Sequence, residues 1–170
     1  MTKHLWQRLY FFILVLACLT TTSCGFQLRG LSDFPSWLNN VAIVIQNANP
    51  ELENYLKAQF AFYQKTVCKD PSRANYILII EGDDFREQIT NVSASTTPRL
   101  FLMTYTVKFS LMSSKGATLI SSNVVRITRQ LTINNNRLLG SDLEEAVLKN
   151  EMRKEAVIQL FNRLALQRPN

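Results

Sequence analysis

Two short runs of consecutive apolar residues stand out along the chain, at residues 41–45 (VAIVI) and 76–80 (YILII). Uninterrupted runs of this length that are rich in β-branched residues are typical of strands buried on both faces. We therefore predict two doubly buried strands, with the first of them central in its sheet.

From Arg99 the pattern changes to strict alternation of apolar and polar residues, which predicts a strand with one face in the core. Residues 113–116 (SSKG) predict a hairpin turn, and residues 118–133 return as a second strand. Arg129 lies on the apolar side of this second strand. Because an isolated buried charge is costly, we expect it near the strand end, at a bulge or paired with a carboxylate.

Two helices are predicted by apolar residues at three- and four-residue spacing. The first begins at Pro50 with Asn49 as N-cap and extends to about Thr66. Its aromatic stripe is interpreted as a face packed on the sheet, the alternative being a lipid pocket. The second helix is predicted to begin at a capping box, residues 141–144 (SDLE), and to end near Arg168.

The resulting order is β-α-β-β-β-α. It predicts an α+β fold, a two-layer sandwich in which two helices pack on one side of a four-stranded mixed sheet. Residues 41–80 form a β-α-β unit with parallel strands. Residues 41–170 are predicted to be a single domain.

The N-terminal residues predict export and a lipid anchor. Lys3 and Arg8 precede an uncharged apolar run at residues 9–19, which is shorter than the roughly 20 residues of a transmembrane helix. Small and hydroxyl residues then lead into Cys24, the pattern of a bacterial lipoprotein signal. We predict a signal peptide at residues 1–23 and a lipidated N-terminal connector at residues 24–40.

The lipid predicted on Cys24, an N-acyl group with an S-diacylglycerol, is the only attached group that we expect; no cofactor is predicted. Gly25, in place of an aspartate, favours the outer membrane as its location. Two alternatives stay open: the lipid signal could end at Cys18, or the segment could be an ordinary secretory signal with a chance cysteine.

Composition excludes most kinds of enzyme. The only histidine is His4, inside the predicted signal, so serine–histidine, cysteine–histidine and histidine–zinc sites are excluded. Glu81, Asp83 and Asp84 could form a carboxylate or cation site, but a solvated strand end is the simpler interpretation. We therefore predict no catalytic residue, no metal site and no enzymatic activity. Cys68 is expected to pack near a helix end.

Positive charge is concentrated in the two alternating strands. Without Lys3 and Arg8, 17 of the 19 basic residues remain, and they exceed the 13 acidic residues by four. No acidic residue lies between Glu87 and Asp142, whereas six basic ones do. Guanidinium groups bind phosphates well, so we predict an anionic ligand. The candidate contacts, in order of preference, are Arg99 and Arg137, then Lys108 and Arg126, with Arg129 last. These charges could equally serve solubility or face a polar barrel lumen.

Residues 24–29 (CGFQLR) resemble the start of the LPS-assembly lipoprotein LptE family, in which a cysteine, a glycine, an aromatic residue and Leu-Arg are characteristic. The resemblance implies two partners, the outer-membrane β-barrel LPS-assembly protein LptD and lipopolysaccharide. It also implies a domain facing the periplasm or the barrel lumen. Nucleic acid is not expected as a partner in that compartment. The alternatives are an accessory lipoprotein of another outer-membrane complex, for general barrel assembly or as a secretion pilot, and a lipid-modifying enzyme.

Overall fold

The computed structural model describes Trp6, Arg8 and residues 34–35, 37–91, 99–133 and 138–167. Side chains are not described for Asn91, Arg99 and residues 133 and 138–141. The chain divides into two units, Met1–Gly30 and Leu31–Asn170. All strands and helices below belong to the second unit, so the predicted signal peptide and Cys24 lie outside the described elements.

The described part of the second unit contains five strands and two long helices. In chain order these are β1 (Val41–Asn47), α1 (Pro50–Phe62), β2 (Val67–Cys68), a 3-10 turn (Pro71–Arg73), β3 (Tyr76–Asn91), β4 (Arg99–Ser113), β5 (Thr118–Ile133) and α2 (Leu138–Leu166).

The strands form one mixed sheet in the order β2-β1-β3-β4-β5. β1 is parallel to β2 and to β3, and β4 is antiparallel to β3 and to β5. The predicted α+β class, the parallel β-α-β unit and the hairpin between β4 and β5 are confirmed. The predicted strand count of four is wrong, because the described part of the sheet has five strands.

The additional strand, β2, has only two residues, too few to show any alternation in the sequence. Val67 and Cys68 pair with Val41 and Ala42 of β1. β1 therefore lies second from the edge and β3 is the central strand, which corrects the prediction that β1 is central. Cys68 lies in this edge strand and not at a helix end, and its thiol donates a hydrogen bond to Asn40 Oδ1.

Both helices pack on the same face of the sheet and enclose one core. This face carries the predicted alternating residues of β4 from Met103 to Leu111, together with Leu52, Leu56 and Phe60 of α1. α2 contributes the predicted row at four-residue spacing, with Met152, Ala156, Val157, Leu160, Phe161 and Leu164 all buried.

The opposite face of the sheet, here called the outer face, has no described helix over it. Val44, Ile77 and Ile79 point to it and are only half-buried, whereas Leu78 and Ile80 on the helix face are fully buried. The prediction of doubly buried strands is therefore wrong. The apolar residues of the outer face shield one another side by side instead of packing beneath a second layer.

β3 is a 16-residue strand that includes the whole acidic segment. Ile80 pairs with Phe109 and Gly82 with Lys108, so Glu81 is an extra residue in β3 and forms a β-bulge. Before the bulge the even-numbered residues face the helices. After it, Asp83 and Phe85 face them. The predicted solvated strand end is thus a continuous, paired strand.

α1 begins where predicted and ends earlier than predicted. Asn49 Oδ1 accepts a hydrogen bond from the Glu51 amide at 2.8 Å, as an N-cap does. The helix stops at Phe62 because Gln64 adopts a left-handed conformation, with φ 55°. The Gln64 and Lys65 amides then donate to the Ala61 and Phe60 carbonyls, the two hydrogen bonds of a Schellman motif.

α2 begins at Leu138, so the predicted start at the 141–144 capping box is wrong. Ser141 and Glu144 lie inside the helix. The helix ends at Leu166, close to the predicted end at Arg168. At 29 residues it is about 44 Å long.

Replacing Asn49 with Ala should lower the free energy of unfolding by about 1 kcal/mol, because the Glu51 amide loses its acceptor. Asn54→Ala, at an exposed position of the same helix, is the matched control and should be neutral or slightly stabilising. Urea denaturation of both variants measures the difference. Equal stability of the two variants would show that the cap contributes nothing.

Candidate functional site

The outer face presents basic and hydroxyl side chains in neighbouring rows of β3, β4 and β5. In one row Lys108 lies between Gly82 and Val124. In the next row Thr106 lies between Asp84 and Arg126. Pairing along the sheet thus brings Lys108 and Arg126, two of the predicted contacts, onto one surface.

A third cation joins them one row further on, where Thr104 lies between Arg86 and Thr128. The three rows border a shallow groove of about 780 Å³. Its described lining combines charged, hydroxyl, amide and apolar side chains: Asp84, Arg86, Gln88, Leu102, Thr104, Thr106, Lys108, Val124 and Arg126.

The groove has an excess of positive charge. Arg86 Nε lies 2.9 Å from Asp84 Oδ2, and both side chains are more than half exposed. Lys108 and Arg126 are exposed, and neither has a carboxylate within ion-pair distance among the described residues. The cationic groups of Lys108 and Arg126 are therefore available to an anion from solution.

Glu81 lies beside this surface without neutralising it through a direct ion pair. Its Oε2 accepts a hydrogen bond from Ser122 Oγ at 2.6 Å. Hydrogen bonds from Ser122 and then Ser110 hold the pKa of the Glu81 carboxyl below its usual value, and the charge of Lys108 adds to this effect. Glu81 is thus ionised and hydrogen-bonded to hydroxyl groups.

The remaining predicted contacts are elsewhere. Arg129 faces the helices, and its guanidinium forms an ion pair with Glu155 of α2. This confirms the expectation of a carboxylate partner, and it makes Arg129 a sheet-to-helix contact instead of part of the groove. Arg99 is the first residue of β4 and pairs with Ile133, but its side chain is not described. Arg137 and Cys24 lie outside the described residues.

Arg86 is the groove residue that the sequence interpretation missed. It was assigned to an acidic, solvated strand end, whereas its backbone pairs with β4 through Thr104. The signal was present in the sequence, since Asp84, Arg86 and Gln88 alternate with Phe85 and Glu87 beyond the bulge. An interpretation that allowed one extra residue at Glu81 would have placed Arg86 on the outer face.

The three carboxylates considered for a cation site point in different directions. Asp83 faces the helices, where its Oδ1 accepts from the Asn49 amide at 2.8 Å and its Oδ2 from the Tyr105 hydroxyl at 2.7 Å. Glu81 and Asp84 face outward to separate partners. Within the described residues, no cluster of three His, Cys, Asp or Glu side chains is placed to hold a metal ion.

The Asp83–Tyr105 hydrogen bond links the start of α1 to the sheet. Burial is the main reason why the pKa of Tyr105 is raised above its ordinary value, followed by the hydrogen bond to Asp83 and the charge of Asp83. The Tyr105 hydroxyl therefore stays protonated and remains a donor. The Tyr105 ring stacks on Phe85 at 4.2 Å, and Arg153 lies over the Phe85 ring at 5.1 Å.

None of the helices in the described ranges has the length and apolar character needed to cross a membrane.

A protein-family model described as "LptE: Lipopolysaccharide-assembly" matches residues 38–164. Two relatives named "LPS-assembly lipoprotein LptE" are similar to 93% of this chain. The one from Yersinia enterocolitica is 26% identical, with 76% of its length covered. The one from Pectobacterium atrosepticum is 24% identical, with 85% covered.

Solved structures support the same fold. The chain resembles the solution structure of "uncharacterized lipoprotein B" from Nitrosomonas europaea, with a TM-score of 0.64, 26% identity and coverage of 83% of this chain and 90% of that one. It also resembles a "Minor Lipoprotein" from Acinetobacter baumannii, with a TM-score of 0.63, 15% identity and coverage of 76% and 92%.

Tyr105→Phe should lower the free energy of unfolding by about 2 kcal/mol, because a hydrogen bond to a partly buried carboxylate is lost. The control is Tyr76→Phe, since no hydrogen bond of the Tyr76 hydroxyl is found among the described residues; we expect a change within about 0.5 kcal/mol. Chemical denaturation measures both. A Tyr105→Phe protein as stable as its control would contradict a stabilising role for the Asp83–Tyr105 contact.

Proposed function

The chain belongs to the LptE lipopolysaccharide-assembly family, and from this premise we propose that it is a lipid-anchored lipoprotein of the outer membrane. In this proposal it binds lipopolysaccharide on its basic surface. It also occupies the lumen of the outer-membrane β-barrel LPS-assembly protein LptD and helps that barrel to assemble. Its lipid is the N-acyl and S-diacylglycerol group on Cys24.

The observation that carries the ligand proposal is the position of Lys108 and Arg126 on the outer face. Both are exposed, and both lack a carboxylate partner among the described residues. Thr106 is paired with Arg126 and is next to Lys108 on the same face of β4, with Thr104 one row further on. A guanidinium binds two phosphate oxygens at once, and a lysine ammonium adds a point charge. This combination suits the phosphate groups of lipopolysaccharide.

We propose a second contact region that includes Arg99 and Arg137. Arg99 pairs with Ile133 at the end of β5. Arg137 lies outside the described residues and follows Ile133 by four residues in the sequence. In this proposal the two arginines share a role in binding the ligand.

The partner proposal is supported by the absence of a second layer on the described outer face. The inside of a large outer-membrane barrel is polar. A subunit that fills it needs an exposed surface of charged, hydroxyl and amide groups, as in the groove around Thr104 and Thr106. The same surface can contact the barrel wall and a passing ligand at different positions.

Two double variants test lipopolysaccharide binding. We expect Lys108→Gln with Arg126→Gln to weaken binding roughly tenfold or more, because each basic side chain near an anionic surface contributes about 1 kcal/mol. Arg99→Asp with Arg137→Asp should also weaken it. The loss should shrink as salt is raised, since exposed charges are screened. Titration with purified lipopolysaccharide at fixed salt measures both.

The matched control is Lys57→Gln with Lys154→Gln, which removes the same charge from the helix layer. It should leave binding unchanged, and all variants should keep the unfolding midpoint within a few degrees. If neither test variant binds more weakly than this control, the ligand proposal is wrong.

Mild detergent extraction of the tagged chain should recover a large β-barrel protein in stoichiometric amount, because the proposed role requires a stable complex. Depletion of the chain should lower surface lipopolysaccharide while most other barrels remain. Recovery of a monomer alone would contradict the partner proposal, and a general loss of barrels would point to a role in general barrel assembly.

A further inference from the structure

One end of the sheet gathers the start of β1, the 3-10 turn and the β4–β5 hairpin. Asn40 Nδ2 donates to the Arg73 carbonyl at 2.9 Å, and the Asn75 amide donates to the Asn40 carbonyl at 2.8 Å. The Ser114 amide of the hairpin donates to the Asn75 carbonyl at 3.0 Å. We call this region the tether end, because Phe34 and Pro35, the first described residues after Cys24, precede β1 here.

The tether end carries four cations, Lys65, Lys69, Arg73 and Lys115, and Asp70 is the one carboxylate among residues 63–75 and 113–118. The Arg73–Asp70 contact is loose, at 3.8 Å. Lys65 Nζ donates to the neutral Asn39 Oδ1 at 2.7 Å, so its charge is not neutralised by that partner. Lys69 and Lys115 are exposed and have no ion pair with a described residue. The tether end is therefore strongly basic.

Exposed apolar side chains accompany these cations. Phe62, the last residue of α1, is 65% exposed, and Leu166, the last residue of α2, is 85% exposed. Both helices end in this region. Phe34, which precedes β1 in the chain, contacts Phe60 near the end of α1 and Phe161 near the end of α2, with ring centroids 5.6 and 5.4 Å apart. Aromatic and aliphatic side chains beside lysines are the combination found where a protein surface rests on a bilayer.

Lys65 and Lys69 also line one groove, of about 570 Å³, between α1 and β2. Its lining also includes the apolar residues Ile43, Ala61 and Val67 and the Glu53–Lys57 ion pair, in which the two charges offset each other. Because Lys65 and Lys69 form no ion pair with a described residue, the groove matches an anionic lipid headgroup with the first part of its acyl chains. The residues that line the groove give no comparable reason to expect a protein partner there.

We propose that the tether end is a membrane-docking surface, on which Lys65 and Lys69 contact anionic phospholipid headgroups and Phe62 enters the interface. This inference rests on the proposed lipid anchor at Cys24. Nine residues lie between Cys24 and Phe34, so an extended connector of ten Cα-to-Cα steps reaches at most about 35 Å. The anchor alone limits how far the domain can lie from the membrane, whereas docking also fixes the orientation of the domain on it.

Docking would also determine the position of Arg99, a proposed ligand contact at the opposite end of the sheet. β4 runs from Arg99 at that end to Ser113 at the tether end and has 15 residues. At about 3.4 Å per residue its length is roughly 50 Å. With the tether end on the bilayer, Arg99 can lie up to about 50 Å from the headgroups.

The first test uses the complete mature chain with Cys24→Ser, so that no acyl chain holds it to the membrane. It should co-sediment with vesicles that contain phosphatidylglycerol and much less with vesicles of phosphatidylcholine alone. Lys65→Gln with Lys69→Gln should weaken binding about thirtyfold, from the contribution of two basic side chains near an anionic surface. Phe62→Ser should weaken it as well.

The matched control, Lys149→Gln with Lys154→Gln, removes two charges from α2 and should sediment like the parent chain. Failure of the Cys24→Ser chain to prefer phosphatidylglycerol vesicles would overturn the inference. So would equal binding by the Lys65/Lys69 variant and the control.

The second test uses the acylated protein, whose attachment to vesicles does not depend on the lysines. Trp37 is the only tryptophan after residue 24. Its carbonyl accepts a hydrogen bond from the amide of Asn39, the residue that contacts Lys65. Lipids with brominated acyl chains should quench Trp37 fluorescence more strongly in phosphatidylglycerol vesicles. Lys65→Gln with Lys69→Gln should remove that difference while the amount of attached protein stays the same.

Failure of this inference is distinguishable from failure of the proposed function. Lipopolysaccharide binding and recovery of the barrel partner should be unchanged in the Lys65/Lys69 variant. If this variant loses the barrel and keeps its vesicle binding, the tether end is a protein interface and the membrane inference is wrong. An unacylated Cys24, detected by mass spectrometry, would remove the anchor but leave the Cys24→Ser vesicle test decisive.

Discussion

The structure depends on the packing of both described helices on a single face of the sheet. This constraint places the apolar residues of β4, β5 and the helices in one core and leaves the other face without a second layer. Backbone pairing satisfies the polar groups of the central strands, so the outer face needs only side chains that tolerate water. That requirement is met by alternating hydroxyl and charged residues, and it is why Lys108 and Arg126 are exposed.

Much of this arrangement could be predicted from the sequence because the signals were local. Alternation predicted β4 and β5, and Asn49 with Pro50 predicted the first residue of α1. The cost of burying a charge left three possibilities for Arg129, a strand end, a bulge or a carboxylate partner, and Glu155 is such a partner. The absence of histidine after residue 4 predicted that the chain is not an enzyme, and membership in an assembly family confirms this.

The remaining features depend on contacts that a local pattern does not contain. β2 forms by pairing with Val41 and Ala42 along one side of β1. A strand of two residues has no periodic pattern that the sequence could show. α1 ends at a left-handed Gln64, where a glycine would have been the recognisable signal. The residues of the groove could not be grouped without the strand register, because Arg86 and Arg126 belong to the two strands that flank β4 and are far apart in the chain.

The bulge at Glu81 determines which charges of β3 belong to which side of the molecule. If Glu81 were instead paired as an ordinary residue of the ladder, Asp83 would face solvent and Arg86 would face the helices, although the composition of β3 would be the same. A strand that lacked Glu81 would keep both residues on their present sides, because Gly82 would then follow Ile80 in regular alternation. Relatives of this chain that lack the bulge should therefore be aligned with a gap of one position at residue 81, since an alignment without that gap would exchange the two surfaces.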